Sequence, residues 1–218
     1  MLKHHPCAYC GRSDLPRTKG HVLPANIYPD GIPKVQRITV SECQSCKILW
    51  EDAEPHFRNI LLGIWNSDSL PVDNRIDAMW RGFHAADGRR RAKELFDLIQ
   101  PSRSTLRGRE VIYPANDARF NLILRRIVRG LAAKHRIGHA IPDESVTCGA
   151  MIWEVPPAFA STFLWHVIAP DFFAYAYAAN LEDSLHSFWL LQFSRHLLFF
   201  GAVERQKSGA PAPPREDG

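Results

Sequence analysis

Two cysteine pairs and one histidine are the residues of this chain whose types and spacing could do chemistry. Cys7 and Cys10 stand two residues apart in Cys7-Ala8-Tyr9-Cys10-Gly11, and Cys43-Gln44-Ser45-Cys46 repeats the spacing. Between them lies Gly20-His21-Val22-Leu23-Pro24. Two intervening residues let two thiolates reach one tetrahedral zinc, and two such pairs close a four-sulfur structural site. Nothing in the chain suggests secretion, and in a reducing cytosol such pairs are metal ligands more often than disulfides. Cys148, the fifth cysteine, lies in an apolar run and is expected to pack. His21 carries an imidazole whose ordinary pKa is near neutrality, which suits a general base that takes a proton from water. Without that context, a histidine beside a zinc knuckle equally suits a hydrogen bond to a backbone carbonyl.

The elements that position these groups must be built from 218 residues with 45% apolar content, enough for one substantial core and a small satellite. Two modules are therefore expected, residues 1–65 and residues 73–204, with a proline-containing disordered tail over 205–218. The first sixty residues hold few large apolar groups and a loose stretch from Leu23 to Pro33, so metal binding is expected to supply folding free energy there. No apolar stretch comes after a basic start, and the longest apolar clusters are interrupted by Gln192, Ser194, Arg195 and His196. A soluble cytoplasmic protein with no membrane partner is the expectation.

Net charge is +4, but residues 75–140 carry fifteen Lys/Arg against six Asp/Glu while residues 141–218 carry four against nine. Arg89, Arg90, Arg91 and Lys93, then Arg103, Arg107 and Arg109, then Arg125, Arg126, Arg129, Lys134 and Arg136 form three clusters able to meet a phosphate backbone. The same clusters could equally be solvated helix faces. The acidic carboxy-terminal region is rich in aromatic side chains, which suit a small-sheet core and leave self-association open.

Hydrophobic periodicity predicts the order of elements. A short hairpin is expected around Val22 and Leu23, its second strand near Val35 to Val40, and a helix opening at the second cysteine pair through Trp50, Phe57 and Trp65. Further helices are expected through Ile76 to Phe83, through Ala92 to Ile99 before Pro101, and through Phe120 to Leu131 with an end near Gly138. Glu110 to Tyr113, Val146 to Trp153, Phe172 to Tyr177, His186 to Phe193 and Leu197 to Val203 read as strands, the last two as a hairpin.

The order of Cys-x2-Cys, a strand with Gly-His-Val-Leu-Pro, a second strand, and Cys-x2-Cys at a helix start resembles the zinc-stapled HNH endonucleases of the His-Me finger group. The stretch Cys46-Lys47-Ile48-Leu49-Trp50-Glu51-Asp52-Ala53-Glu54-Pro55-His56-Phe57-Arg58 is similar to the segment after the second knuckle in bacterial HNH-containing proteins. The resemblance covers residues 7–58 with specific motifs. It implies that Cys7, Cys10, Cys43 and Cys46 hold structural Zn²⁺, that His21 is the base, and that a separate Mg²⁺ or Mn²⁺ sits beside the scissile phosphate. The family places a metal-ligating side chain before the base and Asn or His after the last cysteine. Gly20 and Lys47 stand there instead. Three accounts are open: carboxylates such as Glu54, Asp52, Glu42 or Asp30 replace the ligands; Lys47 stabilises charge in a metal-independent site; or the module binds without cutting.

The expected architecture is α+β: a zinc-bound, treble-clef-like ββα module, a basic helical part over 75–140, and an antiparallel β-rich part over 141–204. The expected function is a DNA endonuclease with His21 as base and the arginines on the backbone. The alternative is a catalytically decayed zinc module that binds nucleic acid or a protein partner.

Overall fold

A computed structural model describes residues 5–28, 37–64, 80–85, 88–98, 100–101, 111–112, 116–151, 157–170, 172–180, 186–193 and 197–204. Strand β1 (Arg17–His21) pairs antiparallel with β2 (Thr39–Cys43), with Arg17 opposite Cys43 and His21 opposite Thr39. Strand β2 runs directly into α1 (Gln44–Trp50), and α2 (Ala53–Ile64) begins after a two-residue break. Pro55 accounts for that break: it has no N–H to return to the preceding turn and is accommodated in the first turn of a new helix. Residues 80–84 are helical, and α3 (Gly88–Leu98) precedes a two-residue ladder of β3 (Gln100–Pro101) with β4 (Val111–Ile112).

The long helix α4 (Ala118–Lys134) begins where the Asp117 side chain accepts a 2.7 Å hydrogen bond from the Phe120 N–H, a cap that satisfies a free amide. It ends before Gly138, because Arg136 turns left-handed at φ 59° and the Ile137 N–H reaches back to the Ala132 carbonyl at 2.9 Å. Beyond it come β5 (Val146–Ala150), a short α5 (Pro157–Ala160), β6 (Trp165–Ala169), β7 (Phe173–Ala179), β8 (Ser187–Phe193) and β9 (Leu197–Val203). The last five strands form one antiparallel sheet in the order β5-β9-β8-β7-β6. The fold is α+β, with this sheet in the carboxy-terminal part.

Apolar residues of α4 at helical spacing, among them Ile123, Leu124, Ile127, Val128 and Leu131, are all fully buried. Their helix packs on β5 and β9 on one side and on α2 and β2 on the other. One hydrophobic cluster therefore runs from Cys7, Val22 and Trp50 through α4 to Trp189 and Phe193. Phe57 of α2 illustrates the join, with ring centroids 4.6 Å from Phe120 of α4 and 5.8 Å from Phe193 of β8. The expected linker at 66–73 and the expected tail at 205–218 lie outside the described residues. No helix among the described residues is long and apolar enough to cross a membrane.

Candidate functional site

Four sulfurs meet where the β1–β2 hairpin and the start of α1 face the first cysteine pair. The ligand atoms of Cys7, Cys10, Cys43 and Cys46 all lie within 4.8 Å of one another. Cys10 Sγ and Cys43 Sγ are 3.7 Å apart, close to the edge of about 3.8 Å expected of a tetrahedron with zinc–sulfur bonds of about 2.3 Å. The Cys43 N–H donates to Cys7 Sγ at 3.4 Å, and Gly11 takes φ 74° to close the first knuckle. Cys7, Cys43 and Cys46 are buried while Cys10 is exposed. Burial pushes the Cys46 thiol up, so keeping it as a thiolate calls for a cation beside it. The donor set fits a soft or borderline metal such as zinc, held for structure because all four positions are protein ligands.

His21 ends β1 beside a different arrangement. The Arg126 guanidinium of α4 donates from Nη2 to the His21 carbonyl at 2.9 Å and lies against two carboxylates, Glu54 of α2 and, at 3.6 Å, Glu42 of β2. Glu42 also accepts from the Trp50 indole N–H at 2.8 Å. The side chains of Arg126 and Glu42 are 3% and 2% exposed, so this is an ion cluster inside the protein. Burial lifts the Glu42 carboxyl above its ordinary range, with Arg126 and Trp50 acting in the opposite direction. Burial, together with the charges of Arg37 and Arg126, lowers the His21 pKa and favours its neutral ring. Its Nδ1 is buried and has no hydrogen-bond partner among the described residues.

Gly20 has a specific reason to lack a side chain. A Cβ built there would lie 2.4 Å from Glu42 Oε2 and 2.7 Å from Glu42 Cβ, so the Glu42 side chain fills the space of residue 20. Glu42 is thus brought across the hairpin against the backbone of Gly20. It arrives already bound to Arg126 and Trp50. Lys47 is exposed on α1. Asp52 is exposed and lines a separate cavity with His56, away from the Arg126 cluster. Asp30 lies outside the described residues. Among the described residues around His21, Gly20 has no side chain, Lys47 is a cation, and the carboxylates of Glu42 and Glu54 are engaged by Arg126.

The predicted backbone-gripping arginines divide in two. Arg126 and Arg129 are 2% and 7% exposed. Arg129 donates to the Ile141 carbonyl and the Tyr9 carbonyl, each at 2.7 Å, and to Asp143 at 3.1 Å. Arg125 pairs with Asp143 at 2.7 Å. These three tie α4 to the first knuckle, the hairpin and the loop before β5; Arg126 and Arg129 are turned inward, away from any phosphate backbone, while Arg125 stays partly exposed. Arg89, Arg90 and Arg91 on α3 are exposed. Arg103, Arg107 and Arg109 lie outside the described residues.

Around the cavity behind α2 stand residues that sequence reasoning did not assign. His56 Nε2 lies 3.2 Å from Asp117 Oδ2, joining α2 to the cap of α4. Arg119 of α4 donates to Glu94 of α3 at 2.8 Å. The only sequence signal for Asp117 was its position as a helix cap; 61 residues separate it from His56.

Compared with models of known families, with curated proteins and with solved structures, the chain finds no match.

Proposed function

We propose that this protein is a zinc-organised, HNH-like module that binds nucleic acid, most simply DNA, without hydrolysing it through a divalent metal. The observation that carries this reading is the Arg126 cluster, in which Glu42 and Glu54 are engaged by an internal guanidinium. An arginine held between two carboxylates is a permanent counter-charge, and it removes those carboxylates as ligands for Mg²⁺ or Mn²⁺. The four cysteines hold zinc and fix the hairpin, while Arg89, Arg90 and Arg91 on exposed α3 supply the phosphate contacts. Titration of fluorescent duplex DNA at several salt concentrations tests the binding step. Affinity should fall with salt, and replacing the three α3 arginines together should weaken binding and flatten that dependence. Equal affinity of wild type and the triple variant would remove the reading.

A second reading, a metal-dependent endonuclease with Glu54 or Asp52 as ligands, is favoured by one observation: His21 ends β1 with its ring biased to the neutral form a base requires. With Glu54 as the ligand, it requires Arg126 to release that carboxylate. Cleavage assays separate the two readings.

A further inference from the structure

The cavity between α2, α3 and α4 encloses about 270 Å³. His56 and Asn59 face it from α2, Arg90 and Arg91 from α3, and Arg119 from α4; the carboxylates of Asp52 and Glu94 share the wall. Leu95 is the one apolar side chain among these lining residues, and the His56 imidazole, held by Asp117, is the one ring. An anion would meet donors there on three sides. The volume is below the roughly 300–1,000 Å³ of pockets for drug-sized ligands, which suits a phosphate with little more than its sugar.

Charge sharpens that choice. Glu94 engages Arg119 at 2.8 Å and Arg90 at 3.7 Å. Arg91 has no carboxylate partner among the described residues, and neither does the adjacent Arg58. Arg58 is lowered in pKa by burial and by the charge of Arg91. Arg58 instead donates twice to Asn59 Oδ1, at 3.1 and 2.9 Å, which leaves the Asn59 amide nitrogen as a donor. Among the lining residues three guanidiniums face two carboxylates, and Arg91 is free to give a phosphate of the size the cavity admits a charge-assisted, two-pronged hydrogen bond.

We infer that this cavity is a binding site for a terminal phosphate monoester, held by Arg91 and the Asn59 amide with Arg90 and Arg119 beside it. The inference rests on the proposed nucleic-acid reading for the strand that carries the phosphate, but not for recognition of the phosphate itself. The test titrates full-length protein with inorganic phosphate by calorimetry. In parallel, anisotropy compares one labelled single-stranded oligonucleotide bearing a 5′-phosphate, a 3′-phosphate or hydroxyls at both ends. Terminal phosphorylation should strengthen binding by about tenfold, and inorganic phosphate should compete. Arg91→Gln, an exposed change that leaves the circular dichroism and melting temperature unchanged, should erase that preference, while Arg91→Lys should keep part of it. Equal binding of all three oligonucleotides, or an Arg91→Gln variant that keeps the preference, overturns the inference and leaves general DNA binding standing. Binding of inorganic phosphate with no oligonucleotide binding upholds the pocket and removes the nucleic-acid reading.

Discussion

The arginines of α4 and those of α3 have the same charge and opposite employment. Arg126 and Arg129 are buried and end on carbonyls and carboxylates of the knuckle, the hairpin and the loop before the sheet. Arg90 and Arg91 are exposed beside a cavity whose cationic groups outnumber its carboxylate partners. A basic run in a chain thus ties elements together where its helix is covered on both sides and stays exposed where its helix has one free face. The difference also explains why the hairpin module and the sheet share one core, because α4 is bonded to the first through its arginines and packed on the second through its aliphatic face.

Metal removal should disturb this comparison most. Structural zinc in small modules contributes apparent folding free energies of about 10–16 kcal/mol. The Tyr9 and His21 carbonyls that accept from Arg129 and Arg126 belong to the metal-organised part. A chelator should release about one zinc per chain and expose residues 5–64 to hydrogen exchange, while the five-stranded sheet exchanges more slowly. Full protection of the hairpin in metal-free protein would break the claim that the sulfurs hold it.

Arg126→Ala comes next. It leaves Glu42 buried without its cation and should cost about 3–5 kcal/mol, read as a fall in the denaturant midpoint. Arg91→Gln should stay within about 0.5 kcal/mol of wild type by the same measurement. Similar losses for both would abolish the distinction between the two sets. A smaller effect is expected of Gly20→Ala, whose methyl group would collide with Glu42 and should destabilise by about 1–3 kcal/mol. A neutral Gly20→Ala would mean that Glu42 is free to leave the Arg126 cluster.

The weakest effect is the dependence on pH. Burial lowers the pKa of His56, and that of His135, whose ring nitrogens lie 2.8 Å from the Tyr175 hydroxyl and 3.3 Å from the Tyr177 hydroxyl. A histidine whose folded pKa is depressed binds fewer protons when folded than when unfolded. Stability therefore rises with pH through the window between its folded value and the ordinary value near 6.5. Thermal melts should move down as pH falls through that window, and His135→Gln should reduce the slope. An unchanged slope would mean that the tyrosine contacts persist with a charged ring.

Much of the fold could be read in advance because it stems from periodicity. The aliphatic spacing of Phe120 to Leu131 marked α4, and the β-branched and aromatic runs marked β5, β7, β8 and β9. Strand β6 was missed: Phe163-Leu164-Trp165-His166-Val167-Ile168 is apolar without clear alternation, and only pairing with β7 makes it a strand. The cysteine cluster was legible because ligand chemistry fixes its spacing. The burial of Arg126 and Arg129 was not, since positive charge is a surface signal by default. One clue was present: Gly130 lies within the helix, and a Cβ there would meet Val22 Cγ2 at 2.9 Å and the Tyr9 hydroxyl at 3.0 Å. A glycine in mid-helix marks a close approach of another chain segment, and Arg126 lies one turn before it on the same face.

The most direct test of the central claim incubates wild-type protein and His21→Ala with supercoiled plasmid in Mg²⁺, Mn²⁺ or EDTA. Conversion to nicked and linear forms is measured over time, with DNA binding determined on the same preparations. The account predicts that both proteins bind DNA and that neither cuts it, whichever ion is present. Cleavage by wild type that requires Mg²⁺ or Mn²⁺ and disappears in His21→Ala would contradict it and favour the endonuclease reading.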